Sequence, residues 1–164
     1  MSGKSANRLV VTLPSDREIL LTRVFNAPRE LVFETFTKPE HLRQWFGPRG
    51  HILTVCEIDF RPGGSFHYVL RAPDGCEMEM RGDIREIEPP NRVIQTESYL
   101  IPGIGWTPPS TNTMTLEERD GKTTLTVRVV HVSKEARDAH VGSGMEVGAG
   151  ETFDRLEELL ATMA

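Results

Sequence analysis

Apolar and polar positions alternate with a period of two over most of the chain, and the alternation gives way to a helical spacing in three places. From Glu18 to Phe25, residues Ile19, Leu21 and Phe25 share one face while Leu20 and Val24 occupy the other. That pattern predicts a strand covered in part on both sides. Residues 1–16 mix small, polar and charged side chains around Leu9 to Val11, and read as a flexible N-terminal arm able to add an edge strand. Pro28 suits the first position of a helix, where its missing N–H needs no partner, and Leu31, Val32, Phe33 and Phe36 mark an apolar side. Pro39 ends that helix and opens a second short one over Glu40 to Phe46, which stops at Gly47-Pro48.

Six strands follow, over Ile52 to Phe60, Ser65 to Arg71, Cys76 to Ile87, Arg92 to Leu100, Thr111 to Glu118 and Thr123 to Val132. Turn chemistry separates them, and Asp120-Gly121 is the dipeptide favoured where a two-residue hairpin needs positive φ. Ile101 to Ser110 holds Trp106 among prolines and glycines and reads as a loop too broken for regular structure. Ser133 is the expected N-cap of a short helix through His140. Ser143 and Glu146 have capping-box spacing, and Met145, Ala149, Phe153, Leu156, Leu160 and Met163 then recur every three or four residues, predicting a long amphipathic C-terminal helix.

This order predicts an α+β fold in which a curved antiparallel sheet wraps around the long C-terminal helix, with two short helices after the first strand closing one mouth. A cavity between sheet and helix is the expected consequence.

The 164 residues suit one domain, 17–164 after the arm, and 38% apolar residues suffice for a core. The 19 basic residues against 24 acidic ones give a net charge of −5. With no basic cluster to neutralise phosphates, nucleic acid is not an expected partner. Cys56 and Cys76 lack metal-ligand spacing and read as buried thiols of a reducing compartment. With no signal-like or membrane-spanning apolar run, the expected location is cytoplasmic, without membrane insertion. No phosphate loop, dinucleotide fingerprint or serine elbow occurs, His41 and His51 lack the i, i+4 metal spacing, and His67 is expected to point away from Phe66 and Tyr68. No cofactor and no metal are expected.

The residues that could carry chemistry are few. His131 shares a strand face with Leu125, Val127 and Val129, so it is either a satisfied core histidine or an acid/base tuned by burial. Glu97 shares its face with Val93, Gln95 and Tyr99. If that face is inward its pKa is raised and it can act as acid or base, and in the opposite register it is merely solvated. Trp45 and Trp106 could gate or floor a pocket, or simply pack. Phe66, Tyr68, Met78, Met80, Met114 and Phe153 form an expected inward set that would line an apolar site or fill a dry core.

Several motifs carry a family likeness: Asn26-Ala27-Pro28-Arg29-Glu30-Leu31-Val32-Phe33, Trp45-Phe46-Gly47-Pro48, Arg61-Pro62-Gly63-Gly64-Ser65-Phe66, Ala72-Pro73-Asp74-Gly75, Ile87-Glu88-Pro89-Pro90 and Phe153-Asp154-Arg155-Leu156-Glu157-Glu158-Leu159-Leu160. Through them the chain resembles, over about residues 17–163, the bacterial relatives of the activator of the heat-shock-protein-90 ATPase. These lie within the START-like, helix-grip superfamily that includes birch pollen allergens and polyketide cyclases. One departure is Gly148-Ala149-Gly150, where many such sequences carry a tryptophan. The resemblance implies a small apolar or amphipathic ligand between sheet and helix, lined by the inward set with Trp45, Tyr99 and Trp106. Its alternatives are contact with a chaperone whose ATPase is stimulated, or cyclase-like or hydrolase-like catalysis through Glu97 or His131. A homodimer is a generic expectation.

Overall fold

Nine strands and four helices are found among residues 7–163, the part of the chain that the structure, a computed structural model, describes. In chain order they are β1 (Val10–Thr12), β2 (Glu18–Phe25), α1 (Arg29–Thr37), α2 (Pro39–Trp45), β3 (Ile52–Ile58), β4 (Ser65–Arg71) and β5 (Glu77–Glu88). Then come β6 (Arg92–Ile101), β7 (Gly105–Trp106), β8 (Ser110–Arg119), β9 (Lys122–Val130), α3 (Lys134–Gly142) and α4 (Met145–Met163). Of the expected N-terminal arm, residues 1–6 lie outside the described residues, and β1 pairs along the edge of β2.

The sheet order is β1-β2-β9-β8-β6-β5-β4-β3, antiparallel throughout. Asp120 and Gly121 take φ of 55° and 76°, the left-handed pair that a tight turn needs to match the twist of β8 and β9. Register defines the inner face: Ile19, Val129, Asn112, Gln95 and Ile84 lie in one row across five strands, and Leu21, Val127, Met114, Val93 and Ile87 in the next.

Helix α4 lays Phe153, Leu156 and Leu160 onto that face. The Phe153 ring meets Phe25 edge-on at 6.0 Å and stacks on Trp45 at 6.4 Å. Two arginines fix the helix laterally. Arg155 donates to the carbonyls of Gly47 and Pro48 before β3, and Arg23 on β2 pairs with Asp154 and Glu157. The fold is an α+β helix grip.

Four local expectations need correction. Ser143 does not cap α4: its hydroxyl donates to the His140 carbonyl at 2.6 Å, closing α3 instead, and Gly144 makes the turn into α4 with φ of 84°. The loop after β6 is not wholly irregular, because β7 folds back on it with Trp106 opposite Leu100. Cys76 is exposed, since it belongs to the Pro73-Asp74-Gly75 turn, where its N–H donates to Asp74; Cys56 is buried as expected. Met78 has inner-face parity but is 41% exposed, because it lies at the start of β5 beside that turn.

Candidate functional site

Polar side chains gather on the inner face where β6 ends. Inward positions there carry Gln95, Glu97 and Tyr99, and β8 brings Ser110 opposite Glu97 and Asn112 opposite Gln95. Ser110 Oγ donates to Asn112 Oδ1 at 3.0 Å. That bond leaves the amide nitrogen of Asn112 directed away from Ser110 and on the side of Glu97, whose pKa it helps to lower. Tyr99 Oη donates to Glu97 Oε1 at 2.7 Å. Helix α3, capped where Ser133 Oγ accepts from the Ala136 N–H, closes this end of the sheet. It brings in His140, whose Nδ1 lies 3.0 Å from His131 Nε2 and whose ring centroid is 6.0 Å from that of Tyr99.

The electrostatics follow from burial. Glu97 has its pKa raised by loss of water, a shift that the bonds from Tyr99 and Asn112 oppose. Burial and then the Glu97 charge push the Tyr99 phenol up. His140 is pushed down to about 4, first by burial and then by His131, and burial and then Arg137 lower His131. Both imidazoles are therefore neutral near pH 7, and one donates to the other.

The β5–β6 pairing keeps one register from Met80–Tyr99 to Ile84–Gln95 and shifts between Ile84 and Glu86, where β5 carries the extra residue; the Asp83 N–H donates to Thr96 Oγ1 at 2.9 Å. Gly82, just before this shift, sits under the Phe66 ring. Gln95, Glu97, Tyr99, Met114 and Val127 keep partial exposure although their register points them inward. On α4, Ala149 is likewise part-exposed, and a side chain built at Gly150 would meet no atom within 4 Å. The inner face thus carries a polar cluster at the β6 end, beside side chains that remain partly exposed.

Two surface hollows lie elsewhere and contain none of these residues. One of about 270 Å³ adjoins Glu57, Asp59, Ser65 and His67, and one of about 370 Å³ adjoins α1 and Pro89-Pro90. No group of three or more His, Cys, Asp and Glu among the described residues is arranged to hold a metal ion. None of the described helices is long and apolar enough to cross a membrane.

The family model for activator of Hsp90 ATPase homolog 1-like proteins matches residues 26–161. The chain belongs to this family. Solved structures of similar sequence include a protein from Nitrosomonas europaea, 29% identical with a TM-score of 0.81 over 92% of this chain and 98% of that one. One from Rhodobacter sphaeroides is 28% identical with a TM-score of 0.86, covering 95% and 99%. Another, from Mycobacterium smegmatis, is 26% identical with a TM-score of 0.84, again covering 95% and 99%. No protein with a curated description matches.

Within this Hsp90-activator-like domain the expected site residues separate into three groups. Glu97, Tyr99 and His131 come together at the β6 end, while Met114 lies opposite Val93 near the start of that strand, part-buried against the core. Trp45, Phe66, Tyr68, Met80 and Phe153 are buried in the core. Trp45 does not gate an opening: it is 1% exposed, wedged against Phe36 and Phe46, with its Nε1–H donating to the Thr35 carbonyl. Trp106 lies away from this inner face. Pairing with Leu100 puts it on the outer face, where the Arg81 guanidinium lies 3.9 Å from its ring centre. Met78 is at the rim, as described above.

Sequence reasoning missed Ser110, Asn112 and His140. Asn112 and Ser110 were legible in principle as polar residues on the inward parity of β8. His140 had no local signal, since α3 meets the sheet only through the tertiary turn at His131.

Proposed function

We propose that this domain binds a small apolar or amphipathic molecule against β6, β8 and β9, beneath the N-terminal half of α4. The observation that carries this reading is the partial exposure of inward-facing Gln95, Glu97, Tyr99, Met114 and Val127, together with small residues at Gly148, Ala149 and Gly150 of α4, where a side chain built at Gly150 would meet no atom within 4 Å. Elsewhere on the same face the residues under Phe153, Leu156 and Leu160 are buried. A wall of methionine and valine with a few convergent polar groups is the usual make-up of a small-molecule site.

Nile red, a neutral apolar dye, is expected to bind the wild-type protein with a fluorescence increase. Ala149→Trp should fill the cleft and abolish that binding. Unchanged affinity in a folded Ala149→Trp protein overturns the reading.

A second reading, acid/base catalysis at Glu97, is favoured by the raised pKa of its carboxyl. Mass spectrometry of a copurified organic extract, before and after incubation with fresh protein, tests it by turnover. The family description adds a chaperone contact, which an ATPase-stimulation assay with the same organism's chaperone checks directly.

A further inference from the structure

Resting on the ligand-binding reading above, we propose that the molecule taken into the cleft is a cationic amphiphile whose ammonium group is held by Glu97, and not a fatty-acid anion. Glu97 accepts from Tyr99 at Oε1, which leaves carboxylate lone pairs without a donor. Among the described residues no cationic side chain is paired with it, and its pKa is raised by burial with no neighbouring cation to oppose the shift. The carboxyl is thus crowded by protein, oriented by the Tyr99 hydroxyl, and lacking the partner that buried carboxylates ordinarily have.

The cations that could serve an anionic head are committed elsewhere. Arg23 on the inner face is held by Asp154 and Glu157. Arg155 donates to backbone carbonyls of residues 44–51. Arg137 near His131 is occupied by the Ser15 carbonyl and Asp138. His131 and His140 are held neutral and bonded to one another. In the first turn of α4, Glu146 offsets the partial positive charge that the helix N-terminus would offer an anion. A carboxylate head would therefore lose its water beside a carboxyl group with nothing to compensate it, whereas an ammonium would supply the missing partner.

Isothermal titration at about pH 8, where a primary alkylamine is still protonated, with octylamine, octanol and octanoate separates the cases. We expect octylamine to bind wild-type protein at least about tenfold more tightly than octanoate, with octanol between. In Glu97→Gln, which keeps the shape of the side chain, the advantage of octylamine over octanol and octanoate should vanish. Ala149→Trp should abolish octylamine binding. Parity of octanoate with octylamine in wild-type protein overturns the charge assignment alone, leaving the cleft as a site. So does an amine preference that survives Glu97→Gln. Amine binding that survives in a folded Ala149→Trp protein places the amine outside the cleft and overturns the proposal together with the cleft as its site. Failure of all three probes and of Nile red overturns the ligand-binding reading itself.

Discussion

Arg23, on the inner face of β2, holds Asp154 of α4 with Nη1 2.8 Å from Oδ1, and its other terminal nitrogen reaches Glu157 at 3.0 Å. The guanidinium is 3% exposed, while the Asp154 side chain is 52% exposed. Its Nε has no hydrogen-bond partner, and Phe25 lies 5.6 Å below it. The pair fixes α4 over the sheet at the level of Phe153, in the row of Leu125 and Leu116.

Removing the two acceptors should hurt more than removing the arginine. An uncompensated buried cation costs about 3 kcal/mol or more, whereas exchange of a buried ion for an apolar side chain of similar length is often near neutral. Urea unfolding should therefore show the double variant Asp154→Asn, Glu157→Gln well below wild type, with Arg23→Met closer to it. Equal losses would mean that the guanidinium is solvated rather than held.

Gly82 is a position of close approach. A Cβ built there would lie 1.8 Å from the Thr96 carbonyl oxygen and 2.5 Å from the Phe66 ring. The oxygen belongs to a paired strand and cannot retreat without opening the ladder beside Glu97. Gly82→Ala should destabilise the protein by about 3 kcal/mol or more, read as a lower unfolding midpoint.

The histidine pair gives a pH dependence of definite sign. In the unfolded chain His140 titrates near its usual value of 6.5, and in the folded protein near 4. Between these values the unfolded chain binds more protons, so stability is complete above about pH 6.5 and falls as the pH is lowered towards 4. His67 works in the opposite sense: Glu79 raises its pKa, so its contribution is present at low pH and fades as the pH rises. The wild-type profile contains both terms, and the test is the difference between wild type and His140→Gln. The variant should lose less stability between pH 6.5 and 4, and parallel profiles would contradict the assignment.

Ser133 accepts the Ala136 N–H at 3.1 Å and starts the helix that carries His140. Ser133→Ala should cost about 1 kcal/mol. Hydrogen exchange should locate the loss in α3, with faster exchange of amides 136–142 than in wild type.

Legibility tracked the range of the interaction that decides each feature. Strands, helices and the Asp120-Gly121 turn rest on period, capping and backbone sterics, all local, and they were readable. The exchanged role of Ser143 shows the limit: its spacing to Glu146 suits a capping box, yet the same hydroxyl can close the preceding helix, and two residues between helices leave room for one outcome. Trp106 moved to the outer face because β7 pairs in register with Leu100, and parity across a hairpin is invisible in a proline-rich segment. Glu97 posed the same question in its simplest form, since one residue of register reverses every side chain in the strand.

By itself the amino-acid sequence determined the family, the α+β helix grip and the set of apolar residues that builds the core, because these depend on patterns repeated over many positions, where no single residue is decisive. The tertiary structure alone decided that Glu97 faces inward with Tyr99, that Asn112 is aimed at it through Ser110, and that His140 meets His131. Each of these depends on pairing between strands, or between strand and helix, distant along the chain, and on placements of a few ångströms that no local pattern encodes.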